Sequence, residues 1–447
     1  MRIYVRLGLL VAAVLALGVL AGRGTPAHAW TYPAALNTNA ATDSGGDENA
    51  QLTTDGAGNW VAVWHSYDDL GDNIGTDADI LVSRSTDNGA SWSALAALNT
   101  NAASDSGVDY APEVTTDGGG NWLAVWYSRE NLGGIGTDAD ILVARSTDNG
   151  ASWSAPAALN SNAGSDSGWD WDPQVTTDDG GNWVAIWTST ENLFDENLGG
   201  TIGEDIDILV SRSTDNGATW TAPAALNTNA ATDWGSDWLP QVTTDGAGNW
   251  LTVWYSSEPW VGSGIGTDYD ILMSRSTDNG ATWTDPAALN TNATTDYPTN
   301  DSLPQVTTDG GGNWLAVWQS MSLGMDRDIL VSRSTDNGTT WIAPAALNTN
   351  AATDSGSDEY PEVTTDGAGN WLAVWDSTEP NVGSGIGTDY DILYSTEVWP
   401  LPPVGGIAEL PDVSGSSGRN YVALAGLTAA VVALGAGGWY ARRRWLG

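Results

Sequence analysis

The sequence predicts an all-β fold, a six-bladed β-propeller, and two repeated phrases support this prediction. The first phrase, Ser-Thr-Asp-Asn-Gly-x-x-Trp, occurs five times, at Ser85–Trp92, Ser146–Trp153, Ser213–Trp220, Ser276–Trp283 and Ser334–Trp341. The second phrase ends in Asn-Trp followed by a Val-Trp or Ile-Trp pair, and its first tryptophans are Trp60, Trp122, Trp183, Trp250, Trp314 and Trp371. Recurrence on this scale is typical of an array of one supersecondary unit.

The second repeat shows why the unit is a blade of four strands. Glu113–Thr116 is a short strand, and a turn rich in Asp, Gly and Asn leads to the apolar strand Trp122–Tyr127. A loop follows, then a third strand at Ile141–Ser146, the Asp motif, and a fourth strand at Ser154–Leu159. Glycine and asparagine accept the positive φ that tight turns need, so the Asp motif joins the third and fourth strands. Four short strands per repeat predict a propeller blade.

The sixth repeat lacks the Asp motif and the fourth strand. The segment that begins at Trp30 reads Trp-Thr-Tyr-Pro-Ala-Ala-Leu-Asn, which matches the fourth-strand segment that begins at Trp153. We therefore expect Trp30–Leu36 to pair with Ile392–Ser395, which would close the ring and leave no open sheet edge.

The two ends of the chain predict export and membrane attachment. Residues 1–29 have a basic start, an apolar run and an Ala-x-Ala cleavage site, as in a signal peptide. The propeller is predicted over 30–397 and a Pro/Gly/Ser-rich linker over 398–420. Residues 421–440 are long and apolar enough for a transmembrane helix, and the Arg-rich tail 441–447 favours a cytoplasmic C-terminus. The expected location is the cell membrane, with a single span and an extracellular propeller. Whether a sorting enzyme cleaves near Leu401 stays open.

Composition excludes some partners. The chain has 14 basic residues, all arginine, against 56 acidic residues, for a net charge of −42. Nucleic-acid binding requires clustered cations, so we expect none. Without cysteine, disulfides and thiolate metal sites are ruled out.

The Asp motif resembles the Asp-box of the bacterial neuraminidase (BNR) repeat, and residues 30–397 resemble the sialidase-type propeller. The resemblance implies that the Asp-box is a structural turn away from the active site. It also implies an arginine triad and a Tyr–Glu nucleophile pair, and neither can be recognised here. Five arginines recur just before the Asp-boxes, which indicates a structural role and leaves only Arg129 and Arg327 in the repeats. Whether the protein is an enzyme therefore stays open.

Five tryptophans stand outside the repeated positions, in loops of the third and fourth repeats. Tryptophan rings beside carboxylates suit a sugar site. The candidate ligand-binding residues are Trp169, Trp171, Trp234, Trp238, Trp260, Asp170, Asp237 and Glu258. Glycoside hydrolysis needs a pair of carboxylates, and Asp170, Asp172, Asp237, Glu191, Glu196 and Glu258 are available.

Acidic motifs recur in the same loops, as Asp-x-Asp before the third strand and Asp-x-Gly-x-Asp between repeats. Two interpretations stay open: oxygen ligands for Ca²⁺, or turn-forming aspartates that keep an acidic protein soluble. The candidate metal ligands are Asp138, Asp140, Asp205, Asp207, Asp268 and Asp270.

Three functions follow as hypotheses. The first is a surface module that binds glycans or another extracellular ligand through the third and fourth repeats. The second is a sialidase-like or other glycoside hydrolase. The third is a structural component of a surface layer.

Overall fold

Six related antiparallel sheets and one small hairpin make up the described part of the chain. The computed structural model describes residues 34–42, 45–71, 73–195, 198–259, 261–262, 264–323, 326–351, 355–379 and 390–398. We number the sheets 1 to 6 in chain order; among these residues, sheets 1 to 5 have four strands and sheet 6 has three. This all-β arrangement of repeated sheets fits the predicted propeller.

The strands of each sheet follow one another in chain order. The first strands are β1 (Asp47–Thr54), β5 (Asp109–Thr116), β9 (Asp170–Thr177), β15 (Asp237–Thr244), β19 (Asp301–Thr308) and β23 (Asp358–Thr365). The second strands are β2 (Trp60–Ser66), β6 (Trp122–Ser128), β10 (Trp183–Ser189), β16 (Trp250–Ser256), β20 (Trp314–Ser320) and β24 (Asn370–Ser377). The third strands are β3 (Asp79–Ser85), β7 (Asp140–Ser146), β13 (Asp207–Ser213), β17 (Asp270–Ser276), β21 (Asp328–Ser334) and β25 (Asp391–Val398).

The fourth strands are shorter than predicted and cover two residues each. They are β4 (Ala96–Ala97), β8 (Ala157–Ala158), β14 (Ala224–Ala225), β18 (Ala287–Ala288) and β22 (Ala345–Ala346). The long loop of sheet 3 contains the hairpin β11 (Phe194–Asp195) and β12 (Gly200–Thr201). Leu132–Gly134 forms a 3₁₀ turn after β6.

The core lies between consecutive sheets. Trp122 and Trp126 of β6 pack against Val61 and Val63 of β2, because alternate strand residues point to opposite faces. The residues in between, such as Leu123, face the next sheet and pack against its tryptophans. Side chains from the second strands of sheets 3 to 6 pack between neighbouring sheets in the same way. Burial on both faces explains why the second strands read as nearly continuous apolar runs.

The Asp-box is the structural turn that the resemblance implies. Asp148 accepts a 2.9 Å hydrogen bond from the backbone N–H of Ser152 and hydroxyl hydrogen bonds from Ser152 and Ser146. These hydrogen bonds hold the pKa of Asp148 down at about 2. Asn149 takes a positive φ of 58°, and Trp153 packs against the core beneath the turn.

The predicted closing strand is only partly within the described residues. Trp30–Pro33 lie outside them, and Ala34–Leu36 form no strand. Leu36 packs beside sheet 1, next to Trp64, and β25 pairs with β24 alone in the described chain. Closure of the ring thus stays a prediction.

The predicted signal peptide, transmembrane helix and tail fall outside the described residues, as does the predicted linker except for its first residue, Val398, which ends β25. Among the described residues, no helix has the length and apolar character needed to cross a membrane.

Candidate ligand-binding face

One end of the sheets, which we call the loop face, carries the loops between second and third strands and the connections between sheets. The opposite end carries the Asp-boxes and the turns between first and second strands, and the N–H of Asn88 bonds the carbonyl of Gly58 there. The strand directions place the loops that carry the extra tryptophans on the loop face.

Every first strand is bulged near the loop face. The pairing of first and second strands shifts register once per sheet, two or three residues after the strand begins. One residue without glycine's freedom takes a positive φ at each bulge: Asn49, Ala111, Asp172, Leu239, Leu303 and Tyr360. Such left-handed backbone costs of order 1 kcal/mol per residue and concentrates at functional sites, and bulges redirect nearby side chains. The bulges therefore mark the loop face as the place where each repeat presents variable residues.

Aromatic side chains beside these bulges form a band across sheets 1 to 4. We call it the aromatic band, and its members are Tyr67, Tyr110, Tyr127, Trp169, Trp171, Trp238, Tyr255 and Tyr269. The ring centroids of Tyr110 and Tyr127 lie 5.6 Å apart, and those of Trp171 and Trp238 lie 6.0 Å apart. Trp238 pairs across the strands with Tyr255, whose ring lies 5.3 Å from that of Tyr269.

An open pocket of about 330 Å³ lies in this band between sheets 2 and 3. Its lining is Tyr110, Tyr127, Arg129, Ala139, Trp169 and Trp171. The guanidinium carbon of Arg129 lies 4.7 Å from the Trp169 ring centroid, a cation–π arrangement. The pocket thus combines flat aromatic surfaces with one cation in a strongly acidic protein.

Three phenols of the band, those of Tyr110, Tyr127 and Tyr255, have raised pKa values and stay protonated at neutral pH. The hydrogen bond between the hydroxyls of Tyr67 and Tyr110 is 2.6 Å long and, with burial, raises the pKa of Tyr110 to about 12. Burial raises the pKa of Tyr127, and the carboxylate of Asp172 raises it further. A tyrosine nucleophile needs activation toward the phenolate, so this environment favours binding over attack by these phenols.

Asp172 is the carboxylate of the band. It occupies the bulge of β9 and interacts with both Tyr127 and Tyr255. Burial raises the pKa of Asp172 to about 6. Asp172 is one of the six carboxylates considered for hydrolysis, although the predicted ligand-binding set omits it.

Two predicted ligand-binding carboxylates are not accessible. Asp170 and Asp237 begin β9 and β15, and each is only 1% exposed. Asp170 accepts a 2.9 Å hydrogen bond from Asn160, and burial raises the pKa of both carboxyl groups well above the usual range. The structure thus places both carboxylates in the interior, away from the pocket, because alternation along the strand sends Asp170 inward while its neighbours Trp169 and Trp171 line the pocket.

Glu258, a third predicted ligand-binding carboxylate, is also buried, with 3% exposed, and holds a loop. Its carboxylate accepts the backbone N–H groups of Trp234 at 3.0 Å and Gly235 at 3.1 Å. Glu130, Glu191 and Glu379 bind the equivalent loops of other repeats. The recurrence indicates that this glutamate has a structural role in each of these loops.

The predicted tryptophans divide into three groups. Trp169, Trp171 and Trp238 come together in the aromatic band. Trp234 is 87% exposed, and no ring contact connects it to the band among the described residues. Trp260 lies outside the described residues, as does Glu196.

The repeated arginines lie away from this face. Arg84 donates a 3.2 Å hydrogen bond to the carbonyl of Asn149 in the next Asp-box, and Arg333 forms an ion pair with Glu397. Arg327 of the loop face forms an ion pair with Glu359. These contacts agree with the structural role predicted for the repeated arginines.

The predicted metal ligands lie in repeated carboxylate clusters at the sheet junctions. Three clusters join the two aspartates of an Asp-x-Asp motif to one from the connection that follows, and the fourth joins Asp270 to Asp296 of the connection and Asp301 at the start of β19. The clusters are Asp77, Asp79 and Asp105; Asp138, Asp140 and Asp166; Asp205, Asp207 and Asp233; and Asp270, Asp296 and Asp301. The other predicted ligand, Asp268, is 7% exposed. Burial raises the pKa of Asp270 and Asp296, and the neighbouring carboxylate of Asp268 raises both further.

Residues 58–371 match the family described as the BNR repeat-like domain. The chain belongs to this family. No curated protein sequence matches this BNR repeat-like chain.

Solved structures similar to the BNR repeat-like chain include sialidases and an α-L-arabinofuranosidase. It is 17% identical to the Hadza microbial sialidase Hz136, covering 74% of this chain and 63% of that one, with a TM-score of 0.42. It is 15% identical to the GH93 α-L-arabinofuranosidase of Fusarium graminearum, covering 79% of this chain and 93% of that one, with a TM-score of 0.45. It is 15% identical to the Trypanosoma rangeli sialidase, covering 79% of this chain and 54% of that one, with a TM-score of 0.39. The chain thus spans less than two thirds of both sialidases.

Proposed function

We propose that the protein binds glycans through the aromatic band, with the pocket between sheets 2 and 3 at the centre. The supporting observation is the meeting of Tyr110, Tyr127, Trp169 and Trp171 with Arg129 around that pocket. Trp169 is 49% exposed, although an aromatic ring of this size is normally buried. Exposed rings beside a few polar groups are what a ligand site requires.

The chemistry of the band suits a sugar ring. Indole and phenol faces can pack on the C–H faces of a pyranose, while the tyrosine hydroxyls and Asp172 exchange hydrogen bonds with sugar hydroxyls. Arg129 adds a positive charge, which favours sugars that carry a carboxylate. In a chain of net charge −42, this local cation offsets the repulsion that an acidic sugar would otherwise meet.

A glycan array probed with the full chain tests this proposal. The double substitution Trp169→Ala and Trp171→Ala should lower the affinity for bound glycans about ten-fold or more, the loss expected for roughly 1.4 kcal/mol of contact. Trp234→Ala is the matched control, because it removes an exposed tryptophan of the same face outside the band. Equal effects of the two changes would contradict a site in the band.

Asp172 favours glycoside hydrolysis as the second candidate function. A carboxyl group with a pKa of about 6 could serve as a general acid. Turnover of fluorogenic glycosides that is lost in Asp172→Asn, with the fold unchanged, would support it. If the chain shows neither turnover nor glycan binding, the third hypothesis, a structural surface component, is favoured.

We propose further that the propeller has six blades closed by the N-terminal strand. Leu372 of sheet 6 is 39% exposed, whereas the equivalent Leu123 is fully buried against the next sheet. Packing of sheet 6 on sheet 1 would cover it. Export by the signal peptide and anchoring by the C-terminal helix would display this ring outside the cell.

A further inference from the structure

The cluster of Asp205, Asp207 and Asp233, between sheets 3 and 4, has the form of a cation site. One carboxylate oxygen from each lies within 4.8 Å of the others. Oxygen ligands of one Ca²⁺ ion lie about 2.4 Å from it, so two on opposite sides are about 4.8 Å apart. The cluster therefore has the dimensions of a single Ca²⁺ coordination sphere.

Asparagine amides hold one oxygen of two of these carboxylates and leave the other oxygen buried without a partner. Asn227 bonds Oδ1 of Asp207 at 2.7 Å, and Asn229 bonds Oδ2 of Asp233 at 2.7 Å. Oδ2 of Asp207 and Oδ1 of Asp233 have no hydrogen-bond partner and are buried, and Asp207 as a whole is 1% exposed. Oδ2 of Asp205 and the amide oxygen Oδ1 of Asn229 are buried without a partner as well.

An unpaired buried carboxylate oxygen is costly, and four oxygens without partners in one cluster are more so. Amide donors that hold the outer oxygens are the arrangement that orients metal ligands in proteins. Gly203, at a φ of 107°, completes the geometry, because a Cβ there would lie 2.6 Å from Oδ1 of Asp205. Glycine two residues before Asp205 thus leaves room for that carboxylate in its present position.

The same construction recurs at three other junctions. In the first cluster Asn99 bonds Asp79 at 2.7 Å, and Oδ2 of Asp79 is buried with no partner. Asp140 and Asp270 repeat this arrangement with Asn160 and Asn290. Some members of the corresponding clusters after sheets 5 and 6 lie outside the described residues.

We propose that these clusters are Ca²⁺ sites, one at each of at least four sheet junctions, and that the ions hold neighbouring sheets together. All the donors are oxygens, three of them carboxylates, a set suited to a hard cation and not to a thiol- or imidazole-binding metal. Each set joins a loop of one sheet to the connection leading into the next. Bound Ca²⁺ therefore links consecutive repeats of a chain without disulfides.

The test uses the full chain, freed of metal by a chelator, with calorimetric titration of CaCl₂ and thermal unfolding. We expect at least four Ca²⁺ ions per chain and a higher melting temperature with Ca²⁺. An equal concentration of Mg²⁺ should have a smaller effect, because Mg²⁺ demands a tighter octahedral site. Absence of both heat and thermal shift with Ca²⁺ would overturn the proposal.

Asp207→Asn isolates one site. Asparagine keeps the oxygen that Asn227 bonds but turns an NH₂ group into the cluster, which opposes a cation. We expect one Ca²⁺ fewer per chain and, in chelator, a melting temperature no lower than that of the wild type, because the amide relieves the cost of an unpaired carboxylate oxygen. Asp205→Asn provides a second variant at a less buried position, in case the first does not fold.

Glu204→Gln is the matched control, since it removes one exposed negative charge next to Asp205 and leaves the cluster intact. It should keep the full number of Ca²⁺ ions. If it lowers Ca²⁺ binding as much as Asp207→Asn, or if Mg²⁺ replaces Ca²⁺ equally well, the binding is general counterion attraction to an acidic chain and the proposal fails. Glycan binding plays no part in these readouts.

Discussion

The side-chain amide of Asn37 donates a 2.7 Å hydrogen bond to the carboxylate of Asp47, where the first strand of sheet 1 begins. In the next repeat Asn99 makes the same bond to Asp109, and a second bond to Asp79 of its own sheet. By this equivalence, we expect Asn37 to be the junction asparagine between sheets 6 and 1, with Asp391 as its second carboxylate. The bond to Asp47 is the half of this predicted junction that the structure describes.

The outer edge of sheet 6 supports the same closure. Ile392 and Tyr394 are 69% and 72% exposed, whereas the equivalent Ile80 and Val82 of sheet 1 are buried. In sheets 1 to 5 the fourth strand and the next sheet cover these positions. A covered edge would remove both an apolar surface and a row of free backbone groups.

The first prediction follows from the register of this edge. Val82 pairs with Ala96, so Tyr394 should pair with Ala34. Because the chain has no cysteine, Ala34→Cys with Tyr394→Cys should form a disulfide on oxidation, detected as a 2 Da mass loss and faster migration without reductant. The control pair Ala35→Cys with Tyr394→Cys points to opposite faces and should stay reduced. Free thiols in both pairs would contradict the closure.

Much of the fold can be predicted from the sequence, because Asp, Gly and Asn residues mark the turns of each repeat and apolar residues mark its strands. The Asp-boxes and the second and third strands lie where predicted. The start of the first strand could not be read: β5 begins at Asp109 and not at Glu113, since the bulge at Ala111 interrupts the alternation. As a result, residues that the sequence analysis assigns to a loop, such as Asp170, belong to a strand and are buried.

The tyrosines of the band illustrate a second limit. Tyr127 and Tyr255 occupy a position where other repeats have His65, Thr188 and Gln319, so within the repeat they look like ordinary variation. Whether these tyrosines belong to a shared aromatic surface depends on which sheets are neighbours. Only the packed sheets show that Tyr110, Tyr127 and the tryptophans of sheets 3 and 4 share one surface.

The second prediction concerns Arg129. Replacing it with Gln should weaken binding of carboxylate-bearing glycans by about ten-fold while changing neutral glycans little, because only the charged partner loses a charge-assisted hydrogen bond. Arg129→Lys should retain part of the preference, since it keeps the charge without the flat stacking on Trp169. Affinity measured by calorimetry on one acidic and one neutral glycan checks this. A uniform loss for both glycans would indicate that Arg129 supports the pocket structurally.

The third prediction concerns the Asp-box. Asp148→Ala removes the acceptor for Ser146 and Ser152 and should lower the free energy of unfolding by roughly 1–2 kcal/mol. Thr147→Ala, at an exposed position in the same turn, is the control and should change stability by less than about 0.5 kcal/mol. Urea unfolding of the full chain measures both. Equal effects would remove the structural role assigned to the aspartate.

The fourth prediction concerns Glu113, which lies on a first strand and accepts a 3.1 Å hydrogen bond from Gln174. Burial raises its pKa from the ordinary 4.5 to about 8, Gln174 lowers it, and the carboxylate of Glu362 raises it. The folded state therefore holds this proton more tightly than the unfolded chain. Its contribution to stability is full below pH 4.5 and is lost as the pH rises through 8.

Replacing Glu113 with Gln removes this titration and should flatten the fall in stability between pH 5 and 8. Because Glu113 is only half-buried, we expect the variant to gain about 1 kcal/mol over the wild type at pH 8 and little at pH 5. Glu362→Gln is the comparison, because it removes the charge that raises the pKa of Glu113. With a lower pKa at Glu113, stability should fall over a narrower pH range and by a smaller amount. Urea unfolding at each pH gives the profiles. Parallel profiles for wild type and Glu113→Gln would show that the carboxyl group is ionised throughout this range.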